Sequence, residues 1–242
     1  MRRIILLLAA TLLVGCGDVH SPHEITGSYV GVLPHVTVFL VLRSDHTYSE
    51  RLDYFDGKQE AVSGTWFWGV PGVDCVELYN ALYPNEAVYG GPRTSSKTNW
   101  CIGAERWWSG KTTFSLNPGM GWYFEPEEPG VRDRQDRYQA ALSSYSAALK
   151  PGMTREIVEH YLQAKNTGFI QTDCVDPKPP PNCGRADLVK IGEEDAPWVY
   201  KRQNIYIAFQ FTGQKRPNST WTDDAWDTLE SITIFRRYEA RF

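Results

Sequence analysis

The feature that most restricts the fold of this chain is a succession of short segments rich in Val, Tyr, Trp, Phe and Thr between residues 27 and 125. Segments of this composition, separated by short turns, favour antiparallel neighbours. Ser44-Asp45-His46 and Asp56-Gly57-Lys58 supply turn residues that tolerate positive φ or hydrogen-bond their own backbone. The pattern predicts a β-meander or small barrel with strands at 28–32, 36–43, 47–54, 60–68, 74–80, 100–108, 112–116 and 121–124.

Tryptophans are concentrated in this half of the chain. The alternation Thr65-Trp66-Phe67-Trp68 places Trp66 and Trp68 on one face of a strand and Phe67 on the other, so both faces need cover. The indoles either line a ligand cavity or fill the interior, and filling of the core is favoured. Trp107 and Trp108 are adjacent, so one of them points outward. We therefore take Trp66, Trp68, Trp107 and Trp108 as candidate ligand or interface residues.

The chain has five cysteines, of which Cys16 is set apart below. The remaining four allow three pairings, and their division between the two halves favours Cys75–Cys101 and Cys174–Cys183. The alternative, a metal site, is disfavoured because no C-x-x-C spacing occurs. We expect two structural disulfides in an oxidising compartment.

A change of pattern follows the acidic, proline-containing stretch 125–130, which we interpret as a linker. Tyr138, Leu142, Tyr145 and Leu149 then recur with helical spacing and predict a helix over 132–149. Pro151-Gly152 ends it, and Thr154 can cap a second helix that stops near Gly168. Strands are expected at 169–172, 187–191, 204–212 and 230–237.

The N-terminus contains Leu13-Val14-Gly15-Cys16 after Arg2, Arg3 and an apolar run over 4–14 that is too short to span a bilayer. This arrangement resembles the signal of bacterial lipoproteins, in which the cysteine is lipidated and becomes the new N-terminus. The resemblance implies that Cys16 anchors a periplasm-facing protein to a membrane. Asp18 comes one place later than the usual inner-membrane retention signal, so we expect the outer membrane.

Two further stretches resemble known families. G-x-Y-x-G at Gly27, followed by S-D-H-T-Y at Ser44 and S-G-T-W-x-W at Ser63, is similar to the opening of lipocalin-like β-meander modules. L-x-x-G-M-T-x-x-x-V from Leu149 to Val158 resembles the signature of SmpA/OmlA-type outer-membrane assembly lipoproteins, whose fold is similar to that of β-lactamase-inhibitor-protein repeats. The second resemblance implies two helices that lead into an antiparallel sheet.

Together these patterns predict an α+β fold, with an N-terminal antiparallel β-meander or small barrel followed by a helix hairpin and an antiparallel sheet. The predicted parts are a signal peptide (1–15), a tether (16–26), a β-domain (27–125), a linker (126–131) and an ααββββ domain (132–242).

Catalytic signatures are missing from the sequence. It contains no G-x-S-x-G, Walker A, G-x-G-x-x-G or H-E-x-x-H motif. His35, His46 and His160 are scattered, and the acidic clusters at 193–195 and 223–227 are typical of solvated turns. The net charge of −4, which becomes more negative when Arg2 and Arg3 are removed, argues against nucleic-acid binding. We expect no catalytic residue, metal or cofactor.

The resulting hypothesis is a non-enzymatic, lipid-anchored cell-envelope protein that acts through contacts with another envelope protein, as an accessory or structural factor. Two alternatives stay open. The first is a lipocalin-like binder of a small apolar ligand, and the second is an inhibitor of a secreted enzyme.

Overall fold

The structure is a computed structural model that describes residues 21–70, 73–84, 95–106, 110–117, 122–172, 185–195, 200–212 and 227–240. Of the residues that the structure describes, 61% are in strands and 19% in helices. The predicted α+β class, with a helix hairpin followed by a sheet, is therefore wrong, because the fold is mostly β with two helices in the described ranges.

The class was mispredicted because the strands are longer than the local pattern indicates. Strand β4 (Gln59–Val70) continues through Gly69, and β5 (Val73–Pro84) continues through Asn80, although both residues adopt left-handed backbone with φ of +79° and +59°. The strand pairing shifts register at these points. A β-bulge accommodates the extra residue without ending the strand. Gly69 and Asn80, which resemble strand ends in the sequence, therefore lie inside strands.

The chain divides into two compact units, the first comprising Met1–Tyr54 and Lys58–Pro129. Its described part is a closed barrel of eight consecutive antiparallel strands, and Tyr29–Gly31 of the first strand pairs with Phe124–Pro126 of the last. The predicted β-barrel is confirmed. The remaining strands are β1 (Gly27–Leu33), β2 (Val36–Leu42), β3 (Thr47–Tyr54), β6 (Ser95–Arg106), β7 (Thr112–Asn117) and β8 (Trp122–Pro126).

Apolar side chains line the interior of the barrel. They form one buried cluster with contributions from all eight strands, which includes Leu40, Leu52, Trp66, Leu78, Trp100, Ile102, Phe114 and Phe124. A 3₁₀ helix at Pro22–Glu24 precedes β1, and Ile25 after it is completely buried in this cluster. Glu24 also pairs with Arg106 at 2.9 Å. Residues 22–25, which the sequence analysis placed in a tether, therefore pack as part of the barrel.

The predicted Cys75–Cys101 disulfide is confirmed, with a Cα–Cα distance of 5.6 Å. Cys75 lies opposite Gly103 and Cys101 opposite Glu77, so the bond joins diagonal positions on β5 and β6. The neighbouring Val76 and Ile102 belong to the interior cluster. Because side chains alternate along a strand, the disulfide lies on the outer face. Cys174 and Cys183 are outside the described residues.

The second unit comprises Phe55–Gly57 and Gly130–Phe242. Its described elements are helices α1 (Val131–Ala148) and α2 (Arg155–Ala164) and a four-stranded sheet in the order β12-β11-β10-β9. The helices contribute Tyr138, Leu142, Val158 and Leu162 to a core shared with the sheet. The strands are β9 (Ile170–Thr172), β10 (Ala186–Glu194), β11 (Tyr200–Thr212) and β12 (Thr228–Ala240).

The G-M-T segment between the helices pairs with β12 through its backbone. Gly152, at φ +90°, donates its N–H to Leu229 O, and Leu229 donates to Met153 O, both at 2.8 Å. Thr154 occupies the N-cap position of α2, but its side chain makes no capping hydrogen bond. The segment therefore forms an isolated antiparallel β-bridge with the start of β12, with Thr154 opposite Thr228.

Candidate interaction surface

The predicted tryptophans lie in two different settings. Trp66 is fully buried in the barrel, and its indole N–H donates to the carbonyls of Arg43 and Thr47 at 3.0 and 3.1 Å. Trp68 is partly buried against the same cluster. Both therefore contribute to packing of the core. Trp107, Trp108 and the lipidation candidate Cys16 are outside the described residues.

Phe67 is the most exposed large apolar side chain among the described residues of the barrel. It follows Trp66 on β4, points to the outer face and is 55% exposed. Its ring lies 5.5 Å from that of Tyr79 on β5, in an edge-to-face arrangement with an interplanar angle of 80°. Aromatic pairs favour this geometry. The barrel therefore carries an aromatic pair on its outer surface, in which Phe67 is exposed and Tyr79 is partly buried.

The bulge in β5 determines where Tyr79 lies. Pairing with β6 shifts register between Leu78 and Ala81, so the backbone at Tyr79 departs from the regular pleat. Bulges redirect side chains and occur often beside functional sites. The Tyr79 hydroxyl donates to Glu77 Oε2 at 3.0 Å, and this hydrogen bond is the main influence that raises the pKa of Tyr79. Glu77 lies opposite Phe67 in the β4–β5 register.

His46 adds a third ring beside this pair. It lies in the turn between β2 and β3, where its φ of +63° is left-handed. Its imidazole is 4.8 Å from the ring of Trp66 and 6.3 Å from that of Phe67. Thr47 stabilises the turn, because its N–H and hydroxyl both donate to Asp45 Oδ1. We refer to His46, Phe67, Glu77 and Tyr79 as the aromatic surface.

The chemistry of the aromatic surface suits a contact with another molecule. An exposed ring offers apolar area that is released from water on binding. Ring faces attract a cation, and the Glu77 carboxylate can accept charge-assisted hydrogen bonds from one. Aromatic residues are also enriched among the residues that carry most binding energy in protein interfaces.

The sequence pattern predicts only part of the aromatic surface. The alternation around Trp66 placed Phe67 on the opposite face but predicted that this face would be covered. The pairing of Phe67 with Tyr79 depends on the bulge at Asn80, for which the sequence offered only an asparagine inside a strand pattern. Tyr79 and Glu77 were not singled out.

Several charged groups in the described part of the second unit form ion pairs with one another. Arg155, which is 2% exposed, contacts both carboxylate oxygens of the fully buried Asp187 and lies 3.0 Å from Glu159. Glu193, predicted to lie in a solvated turn, belongs to β10 and pairs with Lys190 and Arg202. Hydrogen bonds from those two residues lower the pKa of Glu193. Among the described residues, no group of three His, Cys, Asp or Glu side chains could hold a metal ion.

In comparisons with known proteins, no family model, no curated protein and no solved structure matches this chain. The lipoprotein, lipocalin-like and SmpA/OmlA-type resemblances therefore stay predictions. Among the helices that the structure describes, none is both long and apolar enough to cross a bilayer.

Proposed function

We propose that this chain is a non-enzymatic, lipid-anchored protein of the bacterial cell envelope that binds a partner protein through the aromatic surface. The observation that carries the proposal is the exposure of Phe67 beside Tyr79 and Glu77 on a barrel whose interior is lined by buried apolar side chains. The lipobox at Cys16 supports the anchor, and the oxidising compartment that it implies agrees with the Cys75–Cys101 bond.

The partner that fits this surface presents an Arg or Lys beside an apolar residue. The apolar residue would cover the Phe67 ring, and the cation would lie near Tyr79 and the Glu77 carboxylate. The net charge of −4 favours association with a basic surface. We prefer this outer contact to an internal apolar ligand, because the indole of Trp66 is already packed and hydrogen-bonded.

The test is a quantitative pull-down of the full chain from detergent-solubilised membranes after mild crosslinking. Wild type should recover a stoichiometric protein partner, and Phe67→Ala should recover at least about tenfold less, as expected for a residue that carries much of the binding energy. Val32→Ala is the matched control, because Val32 is 45% exposed on the same barrel and should have no effect. Cys16→Ala should leave an uncleaved or soluble chain that carries no lipid.

Two results would contradict the proposal. Recovery that is equal for Phe67→Ala and wild type would exclude the aromatic surface as the contact. A Cys16→Ala chain that still partitions as a lipoprotein would exclude Cys16 as the lipid anchor.

A further inference from the structure

One seam of the barrel wall lacks strand pairing in the part of the chain that the structure describes. β4 pairs with β3 along Gln59–Thr65 and with β5 only from Trp66 onward. Beyond its bulge, β5 pairs with β6 along Ala81–Pro84. The register pairing therefore does not join Gln59–Thr65 of β4 to Ala81–Pro84 of β5. We call this interval the β4–β5 seam.

Two side chains of β3 bridge the seam from inside the barrel. Tyr48 lies opposite Gly64 of β4, and its hydroxyl donates to Tyr79 O on β5 at 2.8 Å. Glu50 lies opposite Val62, and its Oε2 accepts the Leu82 N–H at 2.8 Å. Both side chains thus cross β4 and bond the backbone of β5. They take the place of the missing strand pairing.

Glu50 is an unusual group to find in this position. It alternates with Tyr48 and Leu52 of the interior cluster, so it faces inward, and it is only 2% exposed. Its Oε1 is buried and has no hydrogen-bond partner in the structure. Burial raises the pKa of Glu50 to about 8, although the Leu82 N–H opposes the shift. The carboxyl is therefore mostly neutral at pH 7.

The surroundings of Glu50 offer its charge little compensation. Its register neighbours are Leu40 on β2 and Val62 on β4. The charge of Glu50 interacts with the titratable hydroxyl of Tyr48. Burial, together with that charge, raises the pKa of Tyr48 to about 12.

Other charged groups near this part of the barrel have partners of their own. Arg51 and Asp53, which alternate with the inward residues of β3, pair with each other at 2.8 Å. Glu60 lies opposite the inward-facing Leu52 and forms an ion pair with Lys58. An ionised Glu50 would need water, which the unpaired seam is best placed to admit.

We propose that Glu50 is a proton-controlled closure of the barrel: the neutral side chain holds the β4–β5 seam shut, and its ionisation opens the seam to water. The sign follows from linkage. The Glu50 carboxyl binds its proton more tightly in the closed barrel than when it is exposed to water. The closed state is therefore most stable below 4.5, the ordinary pKa of a glutamate. The closed state becomes less stable as the pH rises toward about 8, the pKa of Glu50 in the closed barrel.

Hydrogen exchange on the purified full chain tests this proposal. Amide protection at Val62 and Leu82, corrected for intrinsic exchange rates, should fall by at least about tenfold between roughly pH 6 and pH 9 in wild type. Glu50→Gln, which mimics the neutral form, should show little pH dependence at these amides. Glu105→Gln, an exposed carboxylate on β6, is the control and should behave as wild type.

Glu50→Leu is a second variant that lacks any titrating group, and its seam protection should likewise be independent of pH. Seam protection that changes equally with pH in wild type and in either folded Glu50 variant would overturn the proposal. Wild-type protection that stays constant over this pH range would also overturn it.

Discussion

Gly64 shows how a single residue makes the barrel wall possible. A Cβ atom at this position would lie 2.6 Å from Tyr48 Cε1 and 2.6 Å from Tyr79 O. Atoms do not approach so closely, and one of the neighbours is backbone that cannot rotate away. Glycine is therefore required here for space, so that the Tyr48 ring can reach β5.

Gly64→Ala should lower the free energy of unfolding by about 2 kcal/mol, the usual cost of overpacking a core. The measurement is denaturant unfolding followed by circular dichroism. Gly103→Ala is the matched control, because a Cβ at Gly103 on β6 meets nothing within 4 Å. Its effect should stay within about 0.5 kcal/mol. Equal destabilisation by the two variants would contradict this account of Gly64.

At the scale of elements, α2 is attached to the sheet by a buried ion pair. Arg155 in the first turn of α2 contacts Asp187 on β10, and its guanidinium lies 5.3 Å from the ring centroid of Phe211 on β11. Removing Asp187 would leave the buried Arg155 charge with the partly exposed Glu159 as an ion-pair partner, and the loss of a buried partner costs much more than the loss of a surface pair. The energetic contrast between the two kinds of pair can be measured within this unit.

Asp187→Asn should destabilise the chain by about 3 kcal/mol, because Arg155 keeps its charge and its burial. Glu193→Gln removes an exposed carboxylate on the same strand and should cost less than about 1 kcal/mol. Thermal or denaturant unfolding of both variants gives the comparison. A cost for Asp187→Asn as small as that for Glu193→Gln would show that the buried pair does not attach α2 to the sheet.

Strands β4 and β5 show which features of an element the sequence pattern can predict. Alternation placed Trp66 and Phe67 on opposite faces, since strand side chains point alternately to the two faces, and the structure shows that Trp66 is the inward one. Alternation could not predict the length of β4 and β5, because continuation through Gly69 and Asn80 depends on partners distant in the sequence. The α+β prediction failed for this reason. The inward position of Glu50, two residues from Tyr48, was visible in the alternation, but its contact with Leu82 depends on the closed barrel.

At the scale of the whole molecule, each unit has its own described core, and the aromatic surface belongs to the barrel alone. The proposed lipid anchor at Cys16 precedes the barrel in the chain. The outer surface of the barrel carries Phe67, which is its most exposed large apolar side chain among the described residues. The central claim is therefore that Phe67 contacts a partner protein.

Site-specific photo-crosslinking in intact cells tests this claim most directly. A photoreactive phenylalanine analogue is placed at position 67 of the full chain, and at position 32 as a control on the exposed Val32 site of β1. The account predicts one discrete crosslinked protein from position 67 and none from position 32. No crosslink from position 67 in a folded, membrane-bound chain, or the same products from both positions, would contradict it.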